Sequence, residues 1–285
     1  MSEGFSSVHK EPLVALLLLT QLLGGLTGYL KVIIKRIRAR PDNINTLQKY
    51  NFIMKTVGII GGLGPETTSE FYLDLIFSCY AKDKTSRPPI IISSVPLPYK
   101  IEEELITKNK EPERYIPFLV EEAKKLEKAG AEFIVMPCNS LHVFIQEIRE
   151  AVKVPVLSII EETIKFLKKN NLKKVGLVST SATIENKLYE TAFKENGIEF
   201  ETPDDFQQAK LGKFIHNLVI GQQNNRDREE LINIINKFEE KDVDCVALAC
   251  TDLQLLIPKH PTLKIFDTMK VFSDATVEKI LQETA

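Results

Sequence analysis

From residue 54 onward, short runs of β-branched apolar residues alternate with longer segments of helical spacing, and that alternation leaves few folds open. Residues 56–60, 90–95, 133–136, 154–159, 174–178, 245–248 and 264–266 read as buried strands. Residues 66–80, 113–129, 141–152, 160–169, 184–196, 228–240 and 271–281 read as helices. Strands separated by helices cannot be joined by hairpins. The order therefore predicts an α/β fold whose mostly parallel sheet carries helices on its faces.

An internal echo divides this pattern in two. Lys55-Thr-Val-Gly-Ile-Ile opens one half and Lys174-Val-Gly-Leu-Val opens the other. Each half later delivers a strand that runs into cysteine: Phe133-Ile-Val-Met-Pro-Cys138-Asn-Ser, then Cys245-Val-Ala-Leu-Ala-Cys250-Thr-Asp. Two similar α/β domains are the expectation. Parallel sheets bind ligands at the carboxyl ends of their strands, so Cys138 and Cys250 should each lie on a binding edge, across a cleft from one another.

The remaining composition narrows the function. With 37 Lys+Arg against 39 Asp+Glu, the net charge is −2, and no basic field exists to recruit nucleic acid. Four scattered cysteines do not make a disulfide framework, which points to free thiols and a cytoplasmic setting.

The first 53 residues stand apart. Residues 13–30 carry no charge, and Lys31, Lys35, Arg36, Arg38 and Arg40 follow at once. A secretory signal places its positive charges before the apolar run, so this is not one. Either 13–34 is an appendage ahead of a start at Met54, or it is a membrane anchor whose basic flank keeps the rest of the chain in the cytoplasm.

A thiolate is a usable base near neutral pH, because an ordinary cysteine ionises near pH 8.5 and lower at a helix N-terminus. Asn139 and Ser140, or Thr251 and Asp252, supply cap-type residues after each strand-end cysteine. A thiolate on one face of a carbon and a thiol on the other can remove a proton and return one with inversion. That chemistry requires no cofactor. The plainer reading, that cysteine is a small buried hydrophobe, suits Cys79 and Cys245 but not a pair in matching positions. A zinc site finds no support, since neither Cys138-x-x-x-His142 nor Cys245-x-x-x-x-Cys250 has a zinc-ligand spacing. His142 reads as a partner of the Cys138 loop or a plain helix residue.

Two further loops complete the candidate site. Gly61-Gly-Leu-Gly64-Pro65-Glu66 lacks the third glycine of a dinucleotide loop and the Lys-Ser/Thr of a phosphate loop. Ser179-Thr-Ser-Ala-Thr183 offers hydroxyls and backbone N–H groups at a helix start, a seat for a carboxylate.

Taken together, Val57-Gly-Ile-Ile-Gly-Gly-Leu-Gly-Pro65, Met136-Pro-Cys-Asn-Ser-Leu-His142, Ile159-Ile-Glu-Glu-Thr163 and Ala249-Cys-Thr-Asp252 resemble the aspartate/glutamate/hydantoin racemase superfamily, most closely its aspartate racemase branch. The resemblance implies a cofactor-independent racemase, usually a homodimer, with the site between two flavodoxin-like domains. Here these would be 54–155 and 156–268, with 269–285 returning to the first. It implies Cys138 and Cys250 as the acid/base pair. It further implies Gly62, Leu63, Asn139, Ser140 and Thr251 as substrate-binding loop positions, and Thr180 and Thr183 as the carboxylate seat of the second domain.

Departures bear on the substrate. The branch commonly has methionine where this chain has Leu63, threonine at Ser140, alanine at Leu141 and glutamate at Asp252. Its Pro-Asp-Arg stretch aligns with Pro98-Tyr99-Lys100, so Lys100 replaces a bidentate guanidinium with a point charge. Aligning Gly221 puts Val219 where a second cation stands, leaving Arg226 or Arg228 as substitutes. Aspartate is the first expectation for the substrate. The alternatives are glutamate or broad specificity, a dicarboxylate isomerase or decarboxylase, and last a non-catalytic binding protein.

Overall fold

A computed structural model describes residues 54–101, 111–219, 222, 225–251, 253 and 260–282. The apolar segment at 13–34 lies outside the described residues, as do Asp252, Gly221 and the side chain of Val219.

Two parallel sheets form the molecule. In the first, β1 (Val57–Gly61) lies between β2 (Ile90–Ser94) and β3 (Phe133–Val135). In the second, β4 (Lys174–Ser179) lies between β5 (Glu199–Glu201) and β6 (Cys245–Ala249), with β7 (Lys264–Asp267) outside β6. The chain enters each sheet at an inner strand, steps to one side, then crosses to the other. This is the doubly wound order, and it recurs in both halves.

The expected strand at 154–159 shrinks to a bridge between Ile134 and Val156. Ile134 N–H donates to the Pro155 carbonyl at 2.9 Å, and Leu157 N–H donates to the Ile134 carbonyl at 3.0 Å. Pro155 has no N–H to extend the ladder, and Ser158 already caps the next helix by accepting from Glu161 N–H. The bridge holds the place beside β3 that β7 holds beside β6.

Helices cover both faces. In chain order they are α1 (Pro65–Lys82), α2 (Ile116–Lys128), α3 (Ile145–Ala151), α4 (Ile159–Lys169), α5 (Ser181–Glu185), α6 (Leu188–Glu195), α7 (Asp205–Val219), α8 (Asn225–Glu239) and α9 (Thr268–Ile280). The single helix expected over 184–196 is broken into α5 and α6 at Lys187, which takes a left-handed conformation with φ 52°.

The Val-Gly shared by β1 and β4 has one physical cause. A Cβ on Gly58 would stand 3.1 Å from Leu126 Cβ of α2 and 2.8 Å from Ala131 Cβ just after that helix, and one on Gly176 would stand 2.8 Å from the Phe238 ring of α8. In each half the residue without a side chain lets the helix before the cysteine strand press onto the sheet.

Side chains alternate along the strands between separate cores. Val57 and Ile59 join one cluster with Phe71 and Phe272, while Ile60 joins the opposite one with Leu119 and Met136. Each such buried side chain contributes about 2 kcal/mol by leaving water. The last helix of each half crosses over. Ile164 and Leu167 of α4 pack with Tyr189 and Phe193 of the second half, and Phe272 of α9 stacks on Phe71 of the first at 5.7 Å.

Candidate functional site

The carboxyl ends of the two sheets carry the predicted residues. In the first sheet Gly61 pairs with Ser94, so the loop through Gly62 and Leu63 leaves the same edge as the loop through Cys138. Gly62 has φ 80°, and its N–H donates to Thr68 Oγ1 at 3.0 Å. A side chain there would strike Ser94 Oγ. Leu63 is half-buried against the first core. An open crevice of about 400 Å³ lies on the α1 side of Gly62, lined by Thr68, Tyr72, Ile92 and Ser94 among others.

In the second sheet Ser179 is register-paired with Ala249, so Thr180 and Cys250 leave adjacent strand ends together. Neighbouring strands are about 5 Å apart. Cys250 packs with Val246 and Leu248, whereas Cys245 packs in the opposite core, as their odd spacing predicts. Thr180 caps α5 by accepting from Thr183 N–H at 3.2 Å.

Ser140 joins the two edges. Its hydroxyl lies 3.1 Å from Thr180 Oγ1 and 3.3 Å from Thr183 Oγ1, and the two threonine hydroxyls are 3.0 Å apart. Each of these three can donate or accept. The cap-type residue Asn139 is not spent on capping: no side-chain bond from it closes the following 3-10 helix, Ser140–Phe144. Its carboxamide instead reaches Tyr189 and Thr268, which sequence reasoning did not single out. They stand 50 and 129 residues away in the chain, beyond any local pattern.

His142 is a partner of the Cys138 loop. Its Nδ1–H donates to the Cys138 carbonyl at 2.6 Å, and Nε2 accepts from Ile159 N–H at 3.1 Å. A carbonyl can only accept and an amide N–H can only donate, so these two bonds specify one neutral tautomer. Burial pushes its pKa down to about 4, in agreement with that neutral form. The ring thereby clamps the cysteine loop to the first turn of α4.

Thr251 is buried beside Cys250. Lys100 is exposed, and no described contact joins it to the hydroxyl cluster. The other two cysteines are buried away from the edge, and burial pushes Cys79 to about 11 and Cys245 to about 12. Neither supplies useful thiolate at neutral pH. Among the described residues, no three His, Cys, Asp or Glu side chains gather as a metal site, and no helix is long and apolar enough to cross a membrane.

Comparison with known proteins agrees with this geometry. The model of the Asp/Glu/hydantoin racemase family matches residues 60–276. The broad specificity amino-acid racemase RacX of Bacillus subtilis is 30% identical over 233 residues, covering 79% of this chain and 98% of RacX. An aspartate racemase homologue from Pyrococcus horikoshii is 30% identical with a TM-score of 0.67, covering 79% of this chain and 98% of its own. The aspartate racemase of Picrophilus torridus is 27% identical with a TM-score of 0.67, covering 81% and 96%. The chain belongs to the Asp/Glu/hydantoin racemase family.

Proposed function

We propose that this member of the Asp/Glu/hydantoin racemase family is a cofactor-independent amino-acid racemase that interconverts L- and D-aspartate, with Cys138 and Cys250 as its two bases. The observation that carries the reading is the Ser140 hydroxyl. It ties the loop of one strand-end cysteine to Thr180, the residue beside the other.

Starting from one enantiomer, one cysteine thiolate takes the Cα proton and becomes a thiol, leaving the electron pair on carbon. The opposite cysteine, a thiol at the start, gives its proton to the other face and becomes a thiolate. The reverse direction exchanges the two roles. Carbanion character at Cα is stabilised by donors held at the substrate carboxylate, for which Ser140, Thr180, Thr183, Thr251 and the loop through Gly62 and Leu63 are the candidates.

Lys100 serves the side-chain carboxylate in the aspartate reading. A second reading, broad specificity, is favoured by the exposure of Lys100 and by the 30% identity to RacX. Chiral chromatography after incubation with single enantiomers of aspartate, glutamate, alanine, lysine and arginine separates the two. Turnover of aspartate at least tenfold above the neutral and basic amino acids supports the first reading. Comparable rates across the set support the second, and no inversion of any of them contradicts both.

The same proposal includes a homodimer. Leu73, Phe77 and Tyr80 form an exposed stripe on α1, and Phe77 is 65% exposed. Glu66 and Glu70 lie toward one end of that stripe and Lys84, which sits over the Tyr80 ring just past the helix, toward the other, so a second copy packed antiparallel would pair opposite charges around the apolar centre. Phe77→Lys should then yield a monomer by light scattering. An unchanged mass for both variant and parent rejects this face.

A further inference from the structure

We propose that Tyr189 and Thr268 are positioning residues that hold the Asn139 carboxamide in one orientation and so tie the Cys138 loop to the strand that ends at Cys250. The proposal rests on the racemase reading for its catalytic consequence, while its geometry stands independently.

The bonds run in one direction. The Leu248 carbonyl lies in β6, two residues before Cys250, and accepts from Thr268 Oγ1 at 3.1 Å. That bond uses the single hydroxyl proton of Thr268, which must therefore accept from Asn139 Nδ2 at 3.2 Å. The longer approach of the same hydroxyl to Asn139 Oδ1, at 3.5 Å, has no proton left to serve it. With Nδ2 facing Thr268, Oδ1 faces Tyr189 and accepts from its hydroxyl at 2.6 Å. Only one arrangement of Asn139 satisfies the whole chain from Tyr189 to the Leu248 carbonyl.

The setting makes that arrangement costly to leave. Tyr189 and Thr268 are fully buried and Asn139 is 2% exposed, so a flipped carboxamide would leave unmet polar groups with no water to receive them. Burial also raises the Tyr189 phenol well above its usual range, keeping it a donor at any working pH. The chain draws on three separate elements: α6 for Tyr189, the first turn of α9 for Thr268, and β6 for Leu248.

The contrast with the neighbouring cluster clarifies its role. Ser140, Thr180 and Thr183 can reverse donor and acceptor, as a site that accepts a ligand must. Asn139 cannot. Of its four hydrogen-bonding capacities, one N–H and one oxygen lone pair are committed to the frame, which fixes the directions of the remaining N–H and lone pair on the residue that follows Cys138.

Tyr189→Phe and Thr268→Val remove one hydroxyl each with little change of shape, and Thr268→Ser restores the hydroxyl. Each variant of the full chain would be incubated with single enantiomers in D2O, with deuterium followed in product and in recovered substrate. The parent and Thr268→Ser should label the product and leave early recovered substrate unlabelled. Tyr189→Phe and Thr268→Val should lose 10- to 100-fold in kcat with KM changed less than threefold. Deuterium should also enter their recovered substrate, because a misaligned second thiol lets the first return a solvent deuteron. Reduced folding would lower the rate without moving that label ratio.

The Asn139 carboxamide, labelled with 15N and assigned through Asn139→Asp, gives a readout free of turnover. In the parent and in Thr268→Ser one Nδ2 proton should be shifted downfield and protected from solvent exchange by its bond to the hydroxyl, and in Thr268→Val that shift and protection should be lost. If Tyr189→Phe does not fold, the two threonine variants decide. Parent-like rates and carboxamide signals in folded Thr268→Val would overturn the proposal. An inert parent with the expected carboxamide pattern would instead overturn the racemase reading and leave the positioning chain intact.

Discussion

The two halves share a plan and differ in how each strand-end cysteine is held. In both, a central strand with a Val-Gly step lies beside a strand that ends in cysteine, and the last helix crosses to the other half. The Cys138 loop is pinned by side chains with fixed donor and acceptor roles, His142 on its carbonyl and Asn139 beside it. Cys250 leaves β6 directly, its position set by the strand pairing of Ala249 with Ser179 and by packing against Val246 and Leu248. A repeated topology thus supplies two equivalent positions. Different local means hold each of them.

The largest test of equivalence is to remove each thiol in turn. Cys138→Ala and Cys250→Ala should each lower racemisation by roughly 1,000-fold or more, since either leaves one face of Cα without a base. Steady-state rates in both directions check this. A variant that kept a tenth of parental activity would break the symmetry and assign the chemistry to a single cysteine.

The next effect sharpens the difference between the loops. His142 stays neutral in the fold down to about pH 4, whereas an exposed histidine takes a proton near pH 6.5. As pH falls through that window, the unfolded chain binds a proton that the folded chain refuses, so stability declines by up to about 3 kcal/mol. Urea titrations from pH 7 to pH 4 should show this slope in the parent and lose it in His142→Gln, which starts less stable. Equal slopes in the two proteins would remove His142 from the account.

Asp267 in the second half has the opposite sign. It caps α9, accepting from Met269 N–H at 2.9 Å, and burial raises its carboxyl to about 7. The unfolded chain releases that proton near the usual 3.8, so the contribution is full below that pH and is lost as pH rises toward 7. Asp267→Asn keeps an acceptor for the cap without the charge. It should gain about 2 kcal/mol at pH 8 and little at pH 4, measured by the urea midpoint. A loss of stability at pH 8 would mean that the ionised cap is the stabilising form.

The smallest effect comes from the cysteines that the comparison sets aside. Cys79→Ala and Cys245→Ala should retain racemisation within about threefold of the parent while losing about 1 kcal/mol of stability, because each fills buried apolar space. A large loss of rate in either would place a thiol in the chemistry that the fold keeps away from it.

Much of this organisation could be read along the chain, for identifiable reasons. Buried parallel strands need β-branched apolar runs, so β1, β4 and β6 declared themselves, and the two strand-end cysteines with them. β5 did not, because Glu199-Phe-Glu at a sheet edge has a single apolar residue to signal burial. α7 was not read either, although Leu211, Phe214, Ile215 and Leu218 are buried at helical spacing, because its first turns are polar and the exposed Phe206 lies off that apolar face. The segment at 154–159 carried a strand composition, but Pro155 removed a donor and Ser158 began a helix. At the site, Cys138, Asn139, Ser140, Thr180 and Thr183 were marked by local motifs. Tyr189 and Thr268 were not, because a tyrosine inside a helix and a threonine at a helix start carry no functional mark until the fold brings them to Asn139.

The central claim is that two thiols work on opposite faces of one carbon. Proton NMR of L-aspartate and, separately, D-aspartate in D2O with the full-length protein tests it most directly. The account predicts that at early times the newly formed enantiomer carries deuterium at Cα while the recovered starting enantiomer keeps its proton. Equal labelling of both from the outset would contradict it and assign removal and return of the proton to a single base.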